Sequence, residues 1–290
     1  MPANSMHLLP RSTPGKTRLR VLGSCALILA LCASAKAQTT AATGGQHPAA
    51  AGSSSVPDAP QPQAPKQAQD KEAVTVRNTP RHVLKDQVAI WTSPAHIRTH
   101  DLVWLAPLAV GTGVGIATDH HMMASVVSHD PSFNQSNVDA SNVLIGGFIA
   151  APVALYGWGY KQDDPHAREA GILGSEALVD GVAVEEVTKL IFRRERPVYD
   201  NARGLFFSKN AHLDSSFPSS HSVLAWSSAA VIAAEYPSRW TQLGVYSLAT
   251  GVSVTRVLGR EHFPADVLVG SAVGWLVGHY VYRAHHHRVS

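Results

Sequence analysis

Three short segments, far apart in the chain, carry the groups that handling a tetrahedral oxyanion requires. They are Lys189 with Arg196-Pro197, then Pro218-Ser219-Ser220-His221, then Thr255-Arg256 followed by His262 and Asp266. In chain order they read K-x6-R-P, P-S-S-H and T-R-x5-H-x3-D. Pro264 suits the first turn of a helix, where its missing N–H costs nothing. Asp266 then falls in that turn, within reach of the His262 ring. A carboxylate accepting from one ring nitrogen fixes the tautomer and leaves the other lone pair free to attack. His262 is thus the candidate nucleophile and Asp266 its orienting partner. The plainer alternative is an ordinary acidic residue at a helix N-terminus.

His221 opens a long apolar run, Val223 to Ala234, which places it near the start of a buried helix. Free N–H groups and the positive dipole end make such a position an anion site. A histidine there can protonate a departing oxygen and later accept a proton from water. The serines before it can equally be simple caps. Lys189 ends a helical stretch, and Arg196, biased out of the α region by Pro197, leaves its end. Arg256 closes another apolar run. Guanidinium and ammonium groups aimed at equatorial phosphoryl oxygens stabilise the charge that develops there. Taken singly, each cation also fits the general preference for Lys and Arg at helix C-termini.

Jointly, the three spacings resemble those of the type 2 phosphatidic acid phosphatase family, a superfamily shared with bacterial acid phosphatases and vanadium haloperoxidases. The resemblance covers about residues 150 to 283. The first segment matches in full, and the third matches with Thr255 in place of serine. In the second, Ser220 stands where the family has glycine. The resemblance implies a phosphohydrolase working without a metal on phosphate monoesters or lipid (pyro)phosphates through a phosphohistidine. His262, Asp266 and His221 would be catalytic, and Lys189, Arg196, Arg256 and the N–H groups of Ser219 and Ser220 would hold the phosphate. No cofactor is expected, with vanadate an inhibitor. Vanadate on His262 would instead make a haloperoxidase, and a crippled site would make a non-catalytic phospholipid-binding relative. At position 220 serine keeps the N–H but must turn its side chain from the ligand, and a positive φ there would strain it.

A net charge of +3 on 290 residues is too small to suggest nucleic-acid binding. Arg11 to Arg20, the apolar run Val21 to Leu31 and Ala35-Lys36-Ala37 read as a secretory signal peptide over 1–37. Both cysteines, Cys25 and Cys32, lie inside it. The exported chain would have no disulfide framework and no thiolate site. The expected location is the bacterial cell envelope, membrane-associated, with the site facing the periplasm.

Residues 38–80, rich in Ala, Pro and Gln, read as a disordered linker. A helical domain follows over 81–284. It comprises a short amphipathic surface helix within 81–100 and six longer helices: 102–118, 142–160, 168–192, 219–235, 240–258 and 264–284. The expected fold is therefore all-α, a six-helix bundle with the reactive groups gathered at one end. Asp119-His120-His121 reads as a solvated turn, and His285-His286-His287 as a polar tail. The glycines at 111, 113 and 115 read as a close helix-packing surface.

Overall fold

The computed structural model describes residues 74–211 and 214–286, and the signal-peptide segment and most of the linker lie outside them. The described residues are all helical or irregular. Seven α-helices follow one another: α1 Thr79–Thr92, α2 Leu102–His121, α3 Pro131–Lys161, α4 Pro165–Phe192, α5 Ser220–Glu235, α6 Arg239–Leu258 and α7 Pro264–His285. The short surface helix and the six longer ones expected from the pattern are all present.

Their starts follow local chemistry. Asp130, Asp164 and Ser238 each accept from a first-turn amide at the heads of α3, α4 and α6. Pro131, Pro165 and Pro264 occupy first helical positions, where no donor is lost. The Asp130-Pro131 start makes α3 eleven residues longer at its N-terminus than its apolar stretch implies. Residues 131–141 are polar and give the hydrophobic pattern nothing to follow.

α5 lies at the centre, and its buried face joins two cores. One packs Phe148, Leu155, Ala229, Ile232 and Val245 from α3, α5 and α6. The other packs Leu173, Val184, Val231, Val277 and Val281 from α4, α5 and α7.

Register between α5 and α7 is set by missing side chains. A Cβ on Gly274 would stand 2.2 Å from the Val223 carbonyl oxygen, and one on Gly278 would stand 2.3 Å from that of Ser227. Positions 274 and 278 therefore run beside 223 and 227 in the same direction, so the two helices are parallel and their N-termini share one end of the bundle. The C-termini of α2, α4 and α6 come to that same end. Of the glycines on α2, Gly115 would meet Ala265 at 3.2 Å and Gly111 would meet Leu268 at 3.5 Å, while Gly113 faces open space. Only two of the three form the expected packing surface.

Two helical stretches among the described residues are long and apolar enough to cross a membrane, 99–126 and 131–161. The apolar part of the first is wholly unburied, with Val103 79 % and Val110 66 % exposed.

Gly274→Ala should lower stability by about 1–3 kcal/mol through overpacking against backbone that cannot yield. Gly113→Ala, on an open face, should gain up to about 1 kcal/mol from helix propensity. Chemical-denaturation midpoints of the two variants check the contrast.

Candidate active site

The site grows from the α4–α5 connection. Arg193 ends α4 in the left-handed region, φ +40°, with its N–H on the Lys189 carbonyl. That turn sends Arg194 inward, where it is 1 % exposed. Its Nη1 donates to Asp266 Oδ1 at 2.6 Å and its Nη2 to Asp119 Oδ2 at 2.8 Å. The Phe263 and Phe206 rings flank the guanidinium at 4.1 and 4.7 Å. Asp119 also accepts from the Ala265 amide at 3.2 Å, at the first turn of α7. It is therefore a buried clasp on the last turn of α2 rather than part of a solvated turn. A buried charge is tolerated where it is paired and hydrogen-bonded, and here one cation lies between two carboxylates that amides also serve.

Around this clasp the residues singled out by spacing come together. His262 is 1 % exposed, and its Nδ1–H donates to the Ser216 carbonyl at 2.8 Å. Asp266 Oδ2 is 3.8 Å from the same nitrogen, beyond hydrogen-bond length, and accepts from the Phe263 amide at 2.8 Å instead. The contact that orients the ring is thus a backbone carbonyl, and Asp266 acts at one remove, by holding the loop and Arg194. The expected direct Asp266–imidazole bond is corrected accordingly. Either way the free lone pair is on Nε2.

Arg196 and Arg256 share a partner. Glu261 Oε2 accepts from Arg196 Nη1 at 3.0 Å and from Arg256 Nη2 at 3.1 Å. Arg196 also pairs with Asp214 at 2.7 Å, and Arg256 Nη1 donates to Ser141 Oγ at 3.3 Å. Arg256 Nε is buried with no hydrogen-bond acceptor among the described residues. Lys189 Nζ pairs with Glu185 at 2.9 Å and donates to Ser220 Oγ, which itself donates to Glu185 at 3.1 Å. Ser220 is helical with no positive φ, so its side chain causes no backbone strain. It turns toward the lysine.

Ser219 differs from expectation. Its N–H donates to the Asp266 carbonyl at 3.1 Å, so this amide is engaged and not available to a phosphate. Its hydroxyl is buried, caps nothing and has no partner among the described residues. The first intrahelical bond of α5 is Val223 N–H to Ser219 O, so the amides of Ser220, His221 and Ser222 precede the ladder. His221 Nε2–H donates to Asn142 Oδ1 at 3.0 Å.

Electrostatics report the convergence. Burial lowers the His262 pKa well below its ordinary value, and Arg196, Arg256 and Lys189 lower it further. Burial and then Arg256, His262, Arg196 and Lys189 bring His221 down to about 3. Burial pushes Asp266 up to about 6, against the pull of Arg194 and the Phe263 amide. The positive ends of α5 and α7 add to a field that favours an anion.

Spacing alone missed Arg194, Asp119, Ser216, Glu261, Ser141 and Asn142. Arg194 sits inside the first segment's x6 stretch, where a buried residue leaves no mark. Glu261 likewise sits inside the third segment's x5 stretch, and the others act from distant elements or through backbone.

Residues 170–290 match the family model described as the PAP2 superfamily. The chain is also similar to the lipid A 1-phosphatase of Porphyromonas gingivalis, 37% identical over 137 residues. That alignment covers 45% of this chain and 27% of the relative, so the chain spans about a quarter of the relative's length. No solved structure matches the chain.

Arg194→Met should cost about 3–5 kcal/mol of stability, because it strands two buried carboxylates. A denaturant midpoint unchanged from wild type would contradict the clasp. Glu261→Gln removes the anion shared by Arg196 and Arg256 and should tighten inorganic phosphate or vanadate binding several-fold by calorimetry, whereas weaker binding would make Glu261 a necessary brace.

Proposed function

We propose that this protein is a metal-independent phosphatase acting on lipid phosphates or pyrophosphates through a phosphohistidine. The observation that carries this reading is the His262 ring. Its Nδ1–H is spent on the Ser216 carbonyl, its Nε2 lone pair is free, and burial, then Arg196, Arg256 and Lys189, hold it neutral. A neutral imidazole among cations is a nucleophile for an anionic electrophile.

In the proposed cycle His262 Nε2 attacks phosphorus and the bond from phosphorus to the leaving oxygen breaks. His221 gives that oxygen its proton. Its pKa is low in the empty site because of burial and the surrounding cations, and a bound phosphate dianion reverses the second effect. Water then attacks the phosphohistidine, His221 takes its proton, and inorganic phosphate leaves as the P–N bond breaks. Lys189, Arg196, Arg256 and the Ser220 amide hold the equatorial oxygens, where charge develops. Asp266 keeps His262 in place through Arg194 and the Phe263 amide. Ser219 lends its free hydroxyl rather than its amide.

A lipid substrate is favoured by the surroundings. The unburied apolar helix α2 and a cavity of about 880 Å³ between α2 and α7, lined by Trp104, Trp226, Leu268 and Trp275, offer surface for hydrocarbon. The similarity to a lipid A 1-phosphatase points the same way. The protein would be exported to the bacterial envelope and work at the membrane with its site toward the periplasm.

The test is phosphate release from phosphatidic acid, polyprenyl pyrophosphate and lipid A in detergent micelles, using wild type and His262→Ala. The variant should keep its helical content and lose at least about 10³-fold in turnover. Acid-labile label should remain on wild-type protein after quenching with labelled substrate. Appreciable turnover by His262→Ala would remove that residue as nucleophile.

A further inference from the structure

A second cluster of titratable groups lies far from the phosphate centre, where α1, α4 and α7 meet. Glu176 is thirteen residues before Lys189 on α4, or about 20 Å along the helix at 1.5 Å per residue. His285 stands at the last turn of α7.

His82 and Asp86 from α1, Glu176 and Asp180 from α4, and His285 from α7 converge here. His82, Asp86, Glu176 and Asp180 are at most 2 % exposed. His82 Nδ1 stands 3.3 Å from Glu176 Oε1, and His285 Nε2 stands 3.7 Å from that same oxygen. Asp86 Oδ2 is 2.8 Å from His285 Nε2. The two imidazoles lie parallel, with centroids 4.3 Å apart and planes 5° apart. One ligand atom from each of His82, Glu176 and His285 falls within 4.8 Å of the others.

Supporting contacts surround them. Tyr280 Oη donates to Asp86 Oδ1 at 3.3 Å, and Gln87 Nε2 donates to Asp180 Oδ1 at 2.8 Å. Yet neither oxygen of Glu176 accepts a hydrogen bond among the described residues, nor does Asp180 Oδ2. A fully buried carboxylate that faces two imidazoles at ion-pair distance, with no hydrogen bond to either oxygen, is costly as an anion unless something else satisfies it.

We propose that His82, Glu176 and His285, with Asp86 as fourth ligand or close support, bind a divalent first-row transition cation of the zinc type. Imidazole nitrogen and carboxylate oxygen together suit zinc, whereas magnesium and calcium take oxygen alone. Zinc bonds of about 2.0–2.2 Å put ligand atoms roughly 3.3–3.5 Å apart in a tetrahedron. The two separations to Glu176 Oε1, 3.3 and 3.7 Å, lie close to that range, and the remaining pair, within 4.8 Å, has to draw in for the site to close. Facing imidazoles would repel if both were protonated, but as neutral ligands they share one cation. Tyr280 and Gln87 are the second layer that orients carboxylates in such sites. The bound ion would fasten α1 to α4 and α7, a structural role separate from phosphate chemistry. His285 therefore belongs to a packed cluster and not to a polar tail.

The full exported chain, stripped with dipicolinate, is titrated with zinc chloride by calorimetry and with cobalt chloride by visible absorption. Wild type should take up one equivalent, show the strong bands of tetrahedral cobalt, and melt at a higher temperature with zinc. Glu176→Gln and His82→Gln should each weaken zinc binding at least tenfold and lose the bands, while phosphatase turnover persists. A chain shortened after His286, which lacks His287, should bind like wild type, which separates the cluster from the histidine run at the end of the sequence. Wild type that takes up no zinc, or binding undiminished in both variants, would overturn the assignment. The cobalt spectrum and stoichiometry of wild type decide the matter even if a variant fails to fold.

Discussion

The buried guanidinium of Arg194 is the constraint on which the candidate site depends. It joins three elements that have no covalent reason to meet: the end of α2 through Asp119, the α4–α5 connection that bears it, and the head of α7 through Asp266. Asp266 in turn fixes the Phe263 amide beside His262, and its carbonyl holds the Ser219 amide at the head of α5. One cation thereby sets the relative positions of both histidine-bearing segments. Planar, multidentate and permanently charged, arginine is suited to this in a way lysine is not.

Backbone proximity completes what the clasp begins. The parallel approach of α5 and α7 over Gly274 and Gly278 brings two positive helix ends to one place, while α4 and α6 deliver Lys189 and Arg256 at their last turns. The apolar cores lie behind this end and do not enter it. Helix ends carry Lys189, His221 and Arg256, while the connecting segments carry His262 and Arg196 together with Arg194, whose buried pairing fixes those segments.

Much of this was legible in the residues. Six apolar stretches located six helices because helices that pack in a bundle or face an apolar surround are hydrophobic over most of their length, and Pro264 marked where the last one starts. The first eleven residues of α3 were missed because they are polar, although Asp130-Pro131 was a readable start signal. Spaced Lys, Arg and His announced the phosphate groups through charge patterns close in sequence. The partner of His262 was not readable, since a carbonyl oxygen exists at every position and only folding selects Ser216. Nor was the clasp: Asp119 and Arg194 are 75 positions apart, and Asp266 is 72 from Arg194. His82, Glu176 and His285 were hidden for the same reason, with one helix contributing each.

Glu261, placed between Arg196 and Arg256, changes how an anion enters this hollow. Both guanidiniums already hold this carboxylate, so on the proposed reading an arriving phosphate would trade places with a resident counterion. The electrostatic gain is then a difference between two anions rather than the full attraction of an empty cationic cup. On the proposed phosphatase reading, such swapping would keep inorganic phosphate from lodging after hydrolysis and make release as accessible as capture.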